Sequence, residues 1–317
     1  MLTITFLIFV AGIGLLYFGA EWLVKGASQL ALGVGIRPLI VGLTILAMGT
    51  SAPEFAVSLL SAIHKSKDIA LGNIIGSNIA NIALVIGVAA VIRPMKIQVN
   101  TVRLEMPYLI VATLVFYLLS LDGLIGFFDG LGMLCGFMLF MVYLGFMASR
   151  DRRDDKKLHA EMGDYQPDKR SISFHLLLTL GGLIGLLLGS YLLVSSAVEL
   201  AQALGVSQLV IGITLVAVGT SLPEMAISAV GSYRGHTDLA VGNAVGSNIF
   251  NILFVIAFVS MIYPIPVDPE LLGFQYLFMS VLTMIFLPMM WTGFILNRLE
   301  GVLLLFIYAF FNYLIFK

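Results

Sequence analysis

Long apolar runs, interrupted by short polar breaks, fill this chain from one end to the other. Breaks at charges, Pro and Gly delimit ten segments, near 3–31, 39–63, 69–92, 104–121, 124–148, 173–203, 209–233, 239–262, 271–290 and 294–316. Each matches the ~20 residues with which a helix crosses ~30 Å of hydrocarbon. The pattern predicts an all-α membrane protein with ten transmembrane helices. One clearly polar stretch, SRDRRDDKKLHAEMGDYQPDKR at 149–170, separates the fifth segment from the sixth. It predicts two five-helix halves, 1–148 and 173–317, joined by a solvated linker over 149–172.

Composition agrees with that pattern. Of 317 residues, 60% are hydrophobic and 11% charged, far below the roughly one quarter charged that a water-facing domain carries. A net charge of −1 argues against nucleic-acid binding, which needs a basic patch. Cys135 is the only cysteine, which excludes an intrachain disulfide and a cysteine-based metal site. The N-terminal MLTITFLIFV has no basic region and no small-residue cleavage site, and reads as the start of a retained helix. No cofactor and no obligate protein partner is implied.

The placement of Lys and Arg predicts orientation. With the N-terminus outside, the inner loops carry thirteen basic residues: Arg37, Arg93, Lys96, Arg103, seven in 149–170, Arg234 and Arg298. The outer side keeps three, Lys65, Lys67 and Lys317. Both termini are therefore expected outside and the linker in the cytoplasm.

An internal repeat organises the chain. Residues 40–92 align without a gap on 210–262, matching at 23 of 53 positions. Five crossings separate the two copies, so they insert upside down relative to each other. Secondary transporters recurrently use inverted repeats of this kind, with the substrate at the midplane between the copies.

The repeat duplicates a chemical anomaly. GTSAPEFAVS (49–58) and GTSLPEMAIS (219–228) each place a proline and a glutamate within an apolar segment. Glu54 and Glu224 are the only charges in their segments, up to the end-capping His64, Lys65 and Arg234. A charge at a helix centre costs at least ~2.5–3.5 kcal/mol on insertion scales. No Lys or Arg lies in 71–92 or 239–262 to neutralise either, so an ordinary ion pair lacks its partner. Pro53 and Pro223 have no N–H, which deprives the carbonyls of Gly49 and Gly219 of their helix donors. A hard cation takes carbonyl, hydroxyl, amide and carboxylate oxygens together and is a suitable occupant. In GNIIGSNIANI (72–82) and GNAVGSNIFNI (242–252), Ser77 and Asn81, like Ser247 and Asn251, are four apart on one helix face. The pairs Gly72/Gly76 and Gly242/Gly246 allow close approach to the broken helix. Two carboxylates held ~4–6 Å apart repel by roughly 3–4 kcal/mol at an effective dielectric of 20. An empty site then resists burial, and loading with cations removes the penalty, which favours obligatory exchange over uniport.

These paired motifs resemble the two α-repeats of the Ca²⁺/cation antiporter superfamily, specifically its prokaryotic sodium/calcium exchanger branch. The resemblance runs from end to end. It implies Na⁺/Ca²⁺ antiport across a prokaryotic plasma membrane, with Glu54 and Glu224 as principal ligands of both ions. Thr50 and Thr220 would share the ions through carbonyls or hydroxyls. The main chain of Ala47 and Ala217, with Ser51, Ser77, Ser221 and Ser247, would complete flanking sodium sites, with Asn81 and Asn251 at the centre. Some relatives carry Asp at one of these central positions, associated with potassium dependence or a protonated carboxyl; Asn at both leans away from potassium. The first and sixth helices would slide to alternate access. Ca²⁺/H⁺ exchange is the nearest alternative, since protons also neutralise carboxylates, and a cation channel is a further one.

Other polar residues have plainer readings. Glu21 and Lys25 form an i,i+4 pair near the inner surface. Asp122 and Asp129 belong to an outer turn. His64, His159, His175 and His236 fall in loops or at segment ends, with no metal spacing. Glu105, before Pro107, starts the fourth helix.

Overall fold

The computed structural model describes residues 2–63, 67–151, 168, 170–204, 217–269 and 271–315. Eight helices among them are long and apolar enough to span a bilayer. They are α1 (Leu2–Val34), α4 (Ala70–Ile92), α5 (Thr101–Leu119), α6 (Phe127–Arg150), α7 (Ile172–Leu200), α10 (Thr237–Ile262), α11 (Leu272–Trp291) and α12 (Arg298–Ile315). A ninth span is the bent pair α2 (Pro38–Thr50) and α3 (Ala52–Ile63), which meet at 43°. The seventh expected segment begins outside the described residues; its remainder forms α8 (Ala217–Thr220) and α9 (Leu222–Arg234). Most of the linker, 152–167 and 169, also lies outside them.

Two segments, expected from 124 and 294, start later than the apolar pattern expects, because their first residues form the two-residue strands β2 (Leu124–Ile125) and β4 (Ile295–Leu296). Two more, β1 (Met95–Lys96) and β3 (Ile265–Pro266), lie in the polar breaks. Strand β1 pairs antiparallel with β4, and β2 with β3. Pairing there satisfies backbone groups that a helix end leaves open. The strands also carry the repeat further than sequence matching does, since β1 and β3 stand 170 positions apart and β2 and β4 stand 171 apart. Each copy's first strand pairs with the other copy's second. A two-fold relation between oppositely inserted halves produces this exchange. The helices follow it too: π-helical turns at Asn81–Val85 and Thr101–Glu105 recur at Asn251–Ile256 and Leu271–Tyr276.

Helices α4 and α10 form the centre. Nearly every residue of Thr237–Phe250 is buried, small and large alike, which a helix surrounded by other helices requires. Gly242 and Gly246 let α2 lie against α10. A Cβ on Gly242 would stand 2.7 Å from the Leu39 carbonyl, and one on Gly246 2.7 Å from Leu43 Cα. The corresponding contacts of Gly72 and Gly76 would involve residues around 212, outside the described residues.

Along one side, α1 and α7 cross the molecule as an antiparallel pair. Gly12, Gly19 and Gly26, seven apart, meet Leu193, Leu186 and Thr179 at backbone distance, and Gly182 and Gly189 answer from α7. Small residues are what helices use to approach closely in lipid.

Candidate cation site

The serines at the two breaks build the site. Ser51 (φ −82°, ψ 10°) and Ser221 (φ −86°, ψ 5°) leave the helical conformation, and new helices start immediately after them. Pro53 and Pro223 fall in the first turn, where a missing N–H removes nothing the helix uses. Glu54 and Glu224 become first-turn residues, facing the partial positive charge of a helix N-terminus inside the fold. The opening anomaly therefore has one cause. The break that proline starts gives each glutamate a helix end to face.

Ser-x-Pro-Glu also has the spacing of a capping box, in which serine and glutamate bond each other's backbone. Here the Ser51 side chain instead serves the other repeat. The Ser51 hydroxyl donates to Glu224 Oε1 at 3.1 Å, and Ser221 makes no cap bond. Ser77 donates to Glu54 Oε1 at 3.4 Å. Thr220 also faces Glu54, while Thr50 and Ser247 lie beside Glu224. Both glutamates are 1% exposed.

The asparagines form a chain of hydrogen bonds across the two-fold. Asn81 Nδ2 donates to Asn248 Oδ1 at 3.0 Å, Asn248 Nδ2 to the Asn78 carbonyl at 3.1 Å, and Asn251 Nδ2 to Asn78 Oδ1 at 3.1 Å. Both Asn81 and Asn251 spend their amide nitrogens on the other repeat, which fixes their Oδ1 atoms in the remaining direction. Each opens a π-helical turn, a local widening that redirects side chains.

The buried polar atoms that have no protein partner are informative. Glu54 Oε2, Glu224 Oε2, Asn81 Oδ1 and Asn251 Oδ1 are four of them, in two repeat-related pairs, and the hydroxyls of Ser221 and Ser247 are two more. Nearly all buried polar groups in proteins find a partner, so a cluster of acceptor oxygens without one points to something the protein binds. Carboxylate, amide and hydroxyl oxygens at one place make a hard-cation donor set.

The remaining expected ligands fall where the repeat puts them. Ala47 is buried one turn before the break, and its carbonyl receives Ser51 N at 3.0 Å. Ala217 begins α8, its side chain outside the described residues. One expectation needs correction: the Gly219 carbonyl is already met by the protein, accepting from Ser190 Oγ of α7 at 2.9 Å. A second concerns Glu21, whose partner is Arg234 of α9 rather than Lys25. The turn at 122–129 is as expected, with Asp122 accepting from Leu124 N at 3.1 Å and Asp129 from Gly126 N at 2.8 Å. Glu105 is buried in its π-helical turn and accepts from the Tyr143 hydroxyl at 3.1 Å.

Sequence reasoning passed over Asn73, Asn78, Asn243, Asn248 and Ser190. Asn73 Nδ2 ties α3 to α4 through the Glu54 carbonyl at 3.2 Å and Ser58 Oγ at 3.0 Å. Thr50 Oγ1 stands 3.3 Å from Asn243 Oδ1. The signal was present for the asparagines, since all four recur across the repeat. Ser190 recurs as Ala20 and gave none.

A cavity of about 510 Å³ lies between α3 and α7, lined by Pro53, Tyr191, Val194 and Thr220 among others.

The sequence profile of the family described as sodium/calcium exchanger protein matches residues 4–147 and 174–317. The chain belongs to this exchanger family. Both halves match separately, as an internal repeat predicts. The chain is 40% identical to the putative antiporter CaxA of Alkalimonas amylolytica, over 100% of each chain. It is 30% identical to the sodium/calcium exchanger MaX1 of Methanosarcina acetivorans, over 100% of this chain and 99% of the other. Its fold superposes on the sodium–calcium exchanger NCX_Mj with a TM-score of 0.83, 30% identity and 98% coverage of both chains. That relative was solved after soaking with Na⁺ and Ca²⁺. The exchanger fold makes this chain a multi-pass membrane transporter and not an enzyme.

Proposed function

We propose that the chain is a secondary antiporter that exchanges Na⁺ for Ca²⁺ at the site between the two repeats. The paired acceptor oxygens of Glu54, Glu224, Asn81 and Asn251 carry this reading. Two formal negative charges suit one divalent ion or several monovalent ones. Glu54 and Glu224 are the principal ligands of both ions. Thr50 and Thr220, the hydroxyls of Ser51, Ser77, Ser221 and Ser247, and the main chain of Ala47 and Ala217 complete the shell. A shell so rich in neutral oxygens supports sodium over protons as the counter-ion, because a proton needs no coordination sphere. The names of two relatives, a sodium/calcium exchanger and a sodium–calcium exchanger, support the same coupling.

The halves, 1–148 and 173–317, work as oppositely oriented copies about the linker at 149–172. The Lys and Arg distribution supports a cytoplasmic linker and external termini in a prokaryotic plasma membrane. The inverted repeats with central carboxylates support alternating access over a channel. On this orientation the cavity lies on the external side, and α1 and α7, held together by their glycine seam, slide across the core to alternate access.

The deciding measurement is flux in vesicles. An outward Na⁺ gradient should drive Ca²⁺ uptake, and a proton gradient in the absence of sodium should not. Equal uptake on the proton gradient would move the chain to Ca²⁺/H⁺ exchange.

A further inference from the structure

We infer that Glu21 and Arg234 are positioning residues that latch the molecule in the access state seen here, an inference that rests on alternating access. The repeat makes α1 the counterpart of α7, and α9 the counterpart of α3. In an evenly balanced molecule α1 would meet α9 as α7 meets α3. The two interfaces differ. Leu23, Val24 and Ala27 of α1 share one buried cluster with Ile227 and Val230 of α9. At the equivalent place α7 has parted from α3, and the cavity lies between them.

Among the described residues, the closed interface carries an ion pair, Glu21 with Arg234, and the other carries none. At the corresponding positions, 191 and 64, the sequence has Tyr191 and His64. Tyr191 is 69% exposed and lines the cavity. The opposite access state requires α1 to leave α9 and α7 to close on α3. Glu21 and Arg234 sit on the two elements that must separate, so the pair breaks in every cycle, and closing α7 on α3 forms no ion pair between the corresponding positions. Asymmetry written into the two gates therefore biases the resting equilibrium toward the side on which the cavity opens. Both side chains are partly exposed, at 29% for Glu21 and 44% for Arg234, which limits the bias to roughly two- to fivefold.

Repeat-related cysteines read this equilibrium directly. Ala56 lines the cavity, and its counterpart Ala226 packs against the closed α1–α9 cluster. Each is replaced by cysteine in a Cys135→Ala background, and the purified protein is reacted with a water-soluble maleimide. Glu21→Gln or Arg234→Gln should speed labelling at position 226 by about twofold to fivefold and slow labelling at 56 by less. Arg234→Lys should keep the parent rates, and the swap Glu21→Arg/Arg234→Glu should restore them. Unchanged rates in either neutral variant, faster labelling at both positions, or a swap that fails to restore would each overturn the latch. Labelling reports the gate whichever ions are exchanged, so it stands or falls separately from the Na⁺/Ca²⁺ assignment.

Discussion

At the scale of residues, the site is built by exchanging local partners for distant ones. Ser51 gives up the cap of its own helix and donates to Glu224, 173 positions away. Asn81 and Asn251 bond across the repeat and leave their carbonyl oxygens directed elsewhere. Removing charge from this cluster should therefore affect cations and fold differently. Glu54→Gln and Glu224→Gln each keep the side chain's size and one oxygen while removing half of the formal charge. In a low-dielectric interior, Ca²⁺ binding should weaken tenfold or more, on the order of 1.4 kcal/mol, and exchange should be lost. A neutral amide is cheaper to bury, so melting without Ca²⁺ should hold or rise slightly. Thermal melts with and without Ca²⁺ test both statements together. Near-normal Na⁺-dependent flux in either variant would dismiss the two-carboxylate site.

At the scale of elements, the glycine seam between α1 and α7 is tightly constrained. A Cβ at Gly182 would lie 2.5 Å from Leu23 N, against a backbone that cannot rotate away. Gly182→Val should force the helices apart at a cost of about 1–3 kcal/mol. Because the spans stay equally apolar, membrane insertion should persist while exchange falls sharply. Fluorescence-detected gel filtration beside a flux assay would show this, and full transport by the variant would remove the seam from the mechanism. By contrast, Gly14 and Gly181, on the same helices, have open space around them and serve as controls.

At the scale of the whole molecule, the arrangement is two copies of one design joined tip to tip. Pairing of β1 with β4 and β2 with β3 ties each half to the other at both ends. Orientation in the membrane should follow the basic residues. A cysteine at position 160 in the Cys135→Ala background should resist an impermeant maleimide added to intact cells and react after permeabilisation. Labelling in intact cells would invert the topology, and with it the side to which the cavity opens.

Much of this protein is decided by its sequence alone. Spans follow from apolar length because a backbone in hydrocarbon must bond itself, and the helix is the form that does so within one segment. The repeat, the two glutamates and the broken helices are equally local facts, since proline and buried charge have the same consequences wherever they occur. Partners that lie far apart in the chain are another matter. Glu21 faces both Lys25, four residues away, and Arg234, 213 positions away, and only packing of α1 against α9 selects the second. The Gly219 carbonyl loses its helix donor by sequence, yet whether a cation or Ser190 meets it depends on where α7 lies. The repeat offers no charged counterpart of Glu21 at 191, so the two copies differ in sequence there, yet that difference becomes a contact only once α1 is packed against α9.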